Sequence, residues 1–165
     1  MILSDRTIRR EIEQGIVKPI PEDHQIQPAS IDLKLGPEIA WTNGSRLMLD
    51  GDGYVLYPGK FVLGHTFEWV DIPNYLVGQI NGKSGLGRRG LMVHVTAGFI
   101  DPGFRGHVTL ELVNIGHSPI HLEKEMLICQ LVLMRLTTEA MRPYGHPDLG
   151  SHYQEQSGVT LARTE

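Results

Sequence analysis

His107-Val108-Thr109-Leu110-Glu111-Leu112-Val113-Asn114 is the stretch on which the fold turns. Val108, Leu110 and Leu112 recur at every second position, with Thr109, Glu111 and Val113 between them. A period of two marks a strand, because successive side chains leave opposite faces of the pleat. The same period extends outward from this stretch. Ile31, Leu33 and Leu35 alternate with Asp32 and Lys34. Further short strands are expected at Glu38–Trp41, Tyr54–Leu56, Phe61–Val70, Leu76–Asn81, Leu91–Val95, Ile120–Leu122 and Met126–Leu136. Turn residues separate them, as in Asn43-Gly44, Asp52-Gly53, Pro58-Gly59 and Asp101-Pro102-Gly103. Many short strands at close spacing predict an all-β chain, a sandwich or barrel of jelly-roll type. The exception is a short N-terminal helix from Ser4 to about Gln14, with Ile8 and Ile12 on one face and Gly15 as its stop.

Composition narrows the function classes. A chain of 165 residues suits one domain. The formal charge of −4 leaves no basic footprint, which argues against a nucleic-acid partner. No apolar run approaches the roughly 18 to 20 residues that span a bilayer, so no membrane partner is expected. A single cysteine, Cys129, rules out an internal disulfide, and the N-terminus lacks a signal-peptide pattern. The expected location is the cytoplasm. The expected division is a β domain over 1–136 and a polar C-terminal segment over 137–165. That segment has no hydrophobic periodicity and is not expected to contribute core. It is either a disordered end or a flap that folds over a site with Tyr144, Tyr153, Gln154, Gln156 and Arg163.

Two neighbouring constellations carry the chemistry. Gly82-Lys83-Ser84-Gly85-Leu86-Gly87-Arg88-Arg89-Gly90 combines glycines tolerant of positive φ, a hydroxyl and fixed positive charge. These are the parts a phosphate chain needs, with Arg88 able to fork onto phosphate oxygens. The Walker spacing is missing. Downstream stand two candidate catalytic carboxylates: Asp101 opens an Asp-Pro-Gly turn, where it can bind a sugar hydroxyl or orient a water, and Glu111 sits in the alternating strand. If both faces of that strand are covered, burial raises the Glu111 pKa and suits it to shuttling protons. Phe104, just after the turn, can wall off a sugar. His94 lies in an apolar run and reads as a structural histidine. Zinc nucleobase deaminases need a Pro-Cys-x-x-Cys element, which one cysteine cannot supply.

The ordered blocks Gln27-Pro28-Ala29-Ser30-Ile31-Asp32, Gly82–Gly90, Ala97–Gly106, Leu110-Glu111-Leu112, Arg142-Pro143-Tyr144 and Tyr153-Gln154-x-Gln156-x-Gly158 run over nearly the whole chain. With them the sequence resembles the deoxycytidine triphosphate deaminases of the dUTPase-like superfamily. The resemblance implies a distorted jelly roll or β-barrel, assembled as a homotrimer with sites at subunit interfaces closed by the C-terminal segment. It implies dCTP and dUTP as ligands, magnesium carried by the triphosphate with no direct protein ligand, no zinc, and dTTP as a candidate feedback inhibitor.

By position, Lys83, Ser84, Gly85 and Arg88 match the phosphate motif, and Asp101 matches the residue meeting the deoxyribose 3′-hydroxyl. Phe104 matches the aromatic that excludes a 2′-hydroxyl, and Glu111 the general acid/base. Val95 and Ala97 match backbone contacts to the pyrimidine or its water. Tyr144, His152 and Gln156 match tail contacts. Gly85 stands where the family usually has a second Ser, and His152 where Lys is common. Gly98-Phe99 follows the branch that continues to dUMP and pyrophosphate rather than stopping at dUTP. A deaminase that stops at dUTP, a dUTPase without deamination and a non-catalytic dNTP-binding relative remain open at this point.

Overall fold

The computed structural model describes residues 1–163, so the last two positions of the expected C-terminal segment lie outside it. In chain order the elements are α1 (Asp5–Glu13), β1 (Val17–Lys18), β2 (Ile26–Gln27), β3 (Ser30–Lys34), β4 (Glu38–Ala40), β5 (Arg46–Met48), β6 (Tyr54–Leu56), β7 (Phe61–Asp71) and β8 (Leu76–Gly82). Then follow the single turn α2 (Ser84–Gly87), β9 (Leu91–Met92), β10 (Phe99–Ile100), β11 (Arg105–Asn114), β12 (Ile120–Leu122) and β13 (Leu127–Arg135). Every named strand pair is antiparallel. One sheet runs β5-β4-β7-β11-β9 with β1 added to β7, a second runs β10-β8-β13-β3-β2, and β12 with β6 forms a ribbon. The all-β expectation with one short N-terminal helix therefore holds.

The alternating stretch became β11, and its period sorts the faces as expected. Val108, Leu110 and Leu112 are buried in the core with Leu33, Leu35 and Leu131. His107, Thr109, Glu111 and Val113 lie half-buried on the opposite face. The register against β7 slips between His107 and Thr109. There Val108 N–H leaves the ladder and donates to the Thr66 hydroxyl at 3.0 Å, while that hydroxyl donates to the Glu68 carbonyl at 2.7 Å. A bulge of this kind re-aims the strand that follows it. The two sheets are tied where Leu35 bridges Thr66 and Gly36 N–H donates to the His65 carbonyl.

Three expectations need correction. The strand expected over Leu91–Val95 ends at Met92, and 93–98 form an irregular loop. Its Val93 carbonyl accepts the Glu111 main-chain N–H, while Val95 N–H donates to the Glu111 side chain, so at Val95 a carboxylate takes the place of a ladder partner. The glycines of the basic loop are not used as expected either: only Gly90 has a positive φ, +94°, while Gly85 and Gly87 lie in the α2 turn. Finally, the C-terminal segment does supply core. Val159 is 2% exposed and packs with Ala40 and Leu63, with Leu161 alongside. Val159 and Leu161 alternate over only three residues, too short a run to read as a period.

Buried polar groups also join the two sheets. Gln25 donates to the Asp32 carbonyl and to Glu68 Oε1, both at 2.8 Å, and Lys34 N–H donates to Glu68 Oε2 at 2.9 Å. Burial pushes the Glu68 carboxyl above its usual range. Burial likewise pushes the buried His65 imidazole below its usual range, although its Nδ1 bonds to the Thr66 carbonyl.

The sign of the His65 effect follows. Between its lowered folded value and the unfolded value of about 6.5, the unfolded chain binds more protons, so stability falls as pH falls. The melting temperature should decline from pH 7.5 to 5.5, and His65→Gln should decline less. Equal slopes in the two proteins would remove His65 from this account.

Candidate active site

Glu111 projects from β11 into a cavity of about 520 Å3. Its Oε2 accepts the Val95 backbone N–H at 2.5 Å. The Glu111 N–H donates to the Val93 carbonyl at 3.1 Å. Strand and loop thus hold the carboxylate from two sides, and one oxygen is fixed by a backbone donor. A carboxylate held in this way can present its other oxygen to a ligand with little reorganisation.

Asp101, Phe104 and Ala97 line the same cavity. Asp101-Pro102-Gly103-Phe104 forms a tight turn, closed by Phe104 N–H donating to the Asp101 carbonyl at 3.1 Å. Pro at the second position and Gly103 at φ +88° in the third are what a type II turn requires. The turn places the exposed Asp101 at the rim and buries Phe104. The Phe104 ring meets Tyr144 at 5.8 Å between centroids, and Tyr144 N–H donates to the Pro102 carbonyl at 2.7 Å.

The C-terminal segment then crosses the free edge of β11, which β9 covers only at Val113 and Asn114. Gln154 accepts the Arg105 N–H at 3.0 Å and donates to the Gly103 carbonyl at 2.8 Å. Gly106 and Gln156 form a parallel bridge, and Gln156 and Tyr153 join the cavity lining. Tyr153 N–H donates to the Tyr144 hydroxyl at 2.9 Å. A second cavity, of about 480 Å3, shares Asp101, Tyr144 and Tyr153 and adds Arg142 and the exposed His152.

The expected residues therefore divide into two groups. Ala97, Asp101, Phe104, Glu111, Tyr144 and Gln156 line one cavity, with Val95 bonded to Glu111 and His152 at the second cavity. Lys83, Ser84, Gly85 and Arg88 line neither cavity. The Lys83 ammonium is committed to Asp32, whose other oxygen accepts from Gln130 at 3.0 Å. Ser84, Gly85 and Arg88 are exposed on and just after the α2 turn, and a Cβ at Gly85 would meet open space. Tyr153 is prominent in both linings; its pairing with Tyr144 across the turn left no local pattern in the sequence. Cys129 is fully buried and its thiol is pushed far up by burial, so it is inert. Among the described residues, no helix is long and apolar enough to cross a membrane.

Comparison with known proteins adds to this geometry. A family model described as dCTP deaminase-like matches residues 2–136. A protein of Mycobacterium sp. (strain KMS) named "dCTP deaminase, dUMP-forming" is 46% identical over 182 aligned positions, covering 99% of this chain and 96% of its own. Proteins of the same name from Mycobacterium avium (strain 104) and Mycobacterium tuberculosis (strain ATCC 25177 / H37Ra) are 44% identical, with the same coverage. Among solved structures, the 2′-deoxycytidine 5′-triphosphate deaminase from Agrobacterium tumefaciens aligns with a TM-score of 0.71 at 21% identity. That alignment covers 82% of this chain and 48% of the other, so this chain spans about half of that one. The EIAV dUTPase aligns with a TM-score of 0.52 at 21% identity, covering 72% of this chain and 84% of its own. At such identities the structures speak for the fold.

Proposed function

The chain belongs to the dCTP deaminase-like family, and from that premise we propose that it deaminates dCTP and carries the product on to dUMP. The reactions are dCTP plus water to dUTP and ammonia, then dUTP plus water to dUMP and pyrophosphate. One observation carries the assignment of roles: Glu111, pinned by Val95 N–H, opens into a cavity rimmed by Asp101 and walled by Phe104.

In the first reaction Glu111 takes a proton from water as the oxygen adds to C4 of cytosine. It gives that proton to N3, then takes the proton of the new C4 hydroxyl and passes it to the amine as the C4–N bond breaks, so ammonia leaves, the ring becomes uracil and the carboxylate is regenerated. Asp101 at the rim accepts from the sugar 3′-hydroxyl, and Phe104 fills the space a 2′-hydroxyl would need. Ala97, beside Glu111 in the lining, offers backbone groups to the pyrimidine. Tyr144, Gln156 and His152 close over the nucleotide from the 137–165 segment.

The phosphate motif of Ser84, Gly85 and Arg88 stands outside both cavities, and Lys83 is engaged with Asp32. This division supports an assembly in which the basic loop of one protomer completes the cavity of the next; our reading is a homotrimer, in the cytoplasm. Val95 and Phe99, apolar and exposed at 47% and 62%, would be covered by such an interface. Magnesium fits as an ion carried by the nucleotide. Magnesium readily keeps phosphate and water oxygens as ligands, which suits an ion delivered with the triphosphate. When bound it neutralises the triphosphate. dTTP, which shares the sugar and phosphates, is the expected feedback inhibitor.

Incubation of the chain with dCTP and magnesium tests the whole reading. Ammonia, dUMP and pyrophosphate should appear in equal amounts with little free dUTP. Accumulating dUTP would remove the second reaction, and no ammonia would remove the first.

A further inference from the structure

The imidazole of His107 sits where the C-terminal segment is fastened to the sheet. His107 N–H donates to the Gln156 carbonyl at 3.0 Å, and Gln156 Nε2 donates to the His107 carbonyl at 2.7 Å. Two residues on, Gly158 N–H donates to His107 Nδ1 at 3.0 Å. Gly158 has φ +66°, and a Cβ there would lie 3.3 Å from Glu38 Oε2, so only glycine fits this corner comfortably. The chain then drops Val159 into its seat against Ala40 and Leu63. The ring thus fastens the segment between its cavity-lining residue and its apolar anchor.

We propose that His107 is a positioning residue: its neutral imidazole, by accepting the Gly158 N–H, holds Gln156 in the cavity, and protonation of the ring releases the segment. The chemistry follows from the donor inventory. A ring that accepts at Nδ1 carries its proton on Nε2; a second proton would set two donors against each other across the Gly158 contact.

The surroundings oppose that proton until the pH is low. The His65 ring lies 5.2 Å from His107 between centroids, and Trp69 lies 5.5 Å away edge-on. Burial, and beside it the charge of His65, push the His107 imidazole below its ordinary range. The other charged groups on the packed elements are engaged elsewhere. Arg105 on β11 pairs with Asp71 of β7 and Glu155 of the segment, Glu38 of β4 pairs with Arg46 of β5, and Glu111 bonds Val95. With the latched value lowered, the contact is fully present above about pH 6.5 and is lost as pH falls through the latched-state value.

Amide hydrogen exchange on the full chain, corrected for intrinsic rates, reads the latch directly at pH 7.5 and 5.5. Wild-type protection at Gly158 should fall by on the order of tenfold on acidification. In His107→Asn the side-chain carbonyl offers an acceptor in place of Nδ1 that does not titrate, so protection should persist at both pH values. In His107→Leu the volume is filled without an acceptor, and protection should be low at both. The KM for dCTP should follow the same order, with kcat changing less.

This activity arm rests on the deaminase reading, whereas the exchange arm needs no substrate. If the exchange pattern holds but no protein turns over dCTP, the latch stands and the deaminase reading fails. Wild-type protection in His107→Leu at pH 7.5, or acid loss in His107→Asn equal to that of wild type, overturns the latch.

Discussion

Glu111→Gln should cut ammonia release from dCTP by about a thousandfold, within the range that one general acid/base supplies. The variant is a close isostere. Its amide oxygen can still accept the Val95 N–H, so the loop over 93–98 keeps its anchor. What is lost is the capacity to take a proton from water and pass it on. Binding of dCTP by calorimetry should stay within a few-fold of wild type, because the sugar and phosphate contacts are elsewhere. A variant that releases ammonia at the wild-type rate would show that the proton work is done by another group. A variant that fails to bind would place Glu111 in recognition instead.

Gly103→Val should separate the two halves of the cavity. Gly103 holds φ +88°, which costs a side-chain-bearing residue about 1 to 3 kcal/mol, and more when it is β-branched. A Cβ there would also lie 2.6 Å from Pro143 Cβ and 3.1 Å from the Tyr144 backbone. Pro143 and Tyr144 must then move, and with them the contact with Phe104 and the donation to Pro102. The expected result is a KM for dCTP raised by at least tenfold, with faster proteolysis after Leu136 and a smaller effect on the melting temperature. If KM is unchanged, the seating of Tyr144 on this turn has no part in substrate binding.

Local periodicity made some of this architecture readable. β11 announced itself because one covered face demands an apolar residue at every second position, and β13 because its nine residues are mostly apolar. β1, β2, β5 and β10 are two or three residues long, too short to show a period. The loop after Met92 read as a strand because Val93 and Val95 alternate; what ended the strand was a carboxylate on another segment, which no local pattern records. The pairing of Lys83 with Asp32 spans 51 positions and is equally invisible. Asp101, Phe104 and Glu111 could be singled out because one turn and one strand carry all three. That Tyr144 and Gln156 reach the same cavity was legible only through family resemblance, since a segment lacking period gives no hint of where it docks.

Ala40, Leu63 and Val159 form an apolar island of their own, apart from the large cluster around Leu33, Leu35 and Leu112. Seating one valine contributes about 1.5 to 3 kcal/mol, a small part of the gross apolar burial, on the order of 100 kcal/mol, that builds a domain's core. The remaining hold is a set of hydrogen bonds to β11 and the turn before it, each worth about 0.5 to 1.5 kcal/mol net, so in the proposed function the segment would lift at a lower cost than the barrel melts. On the proposed function, nucleotide would enter and product leave by a door whose hinges are independent of the walls.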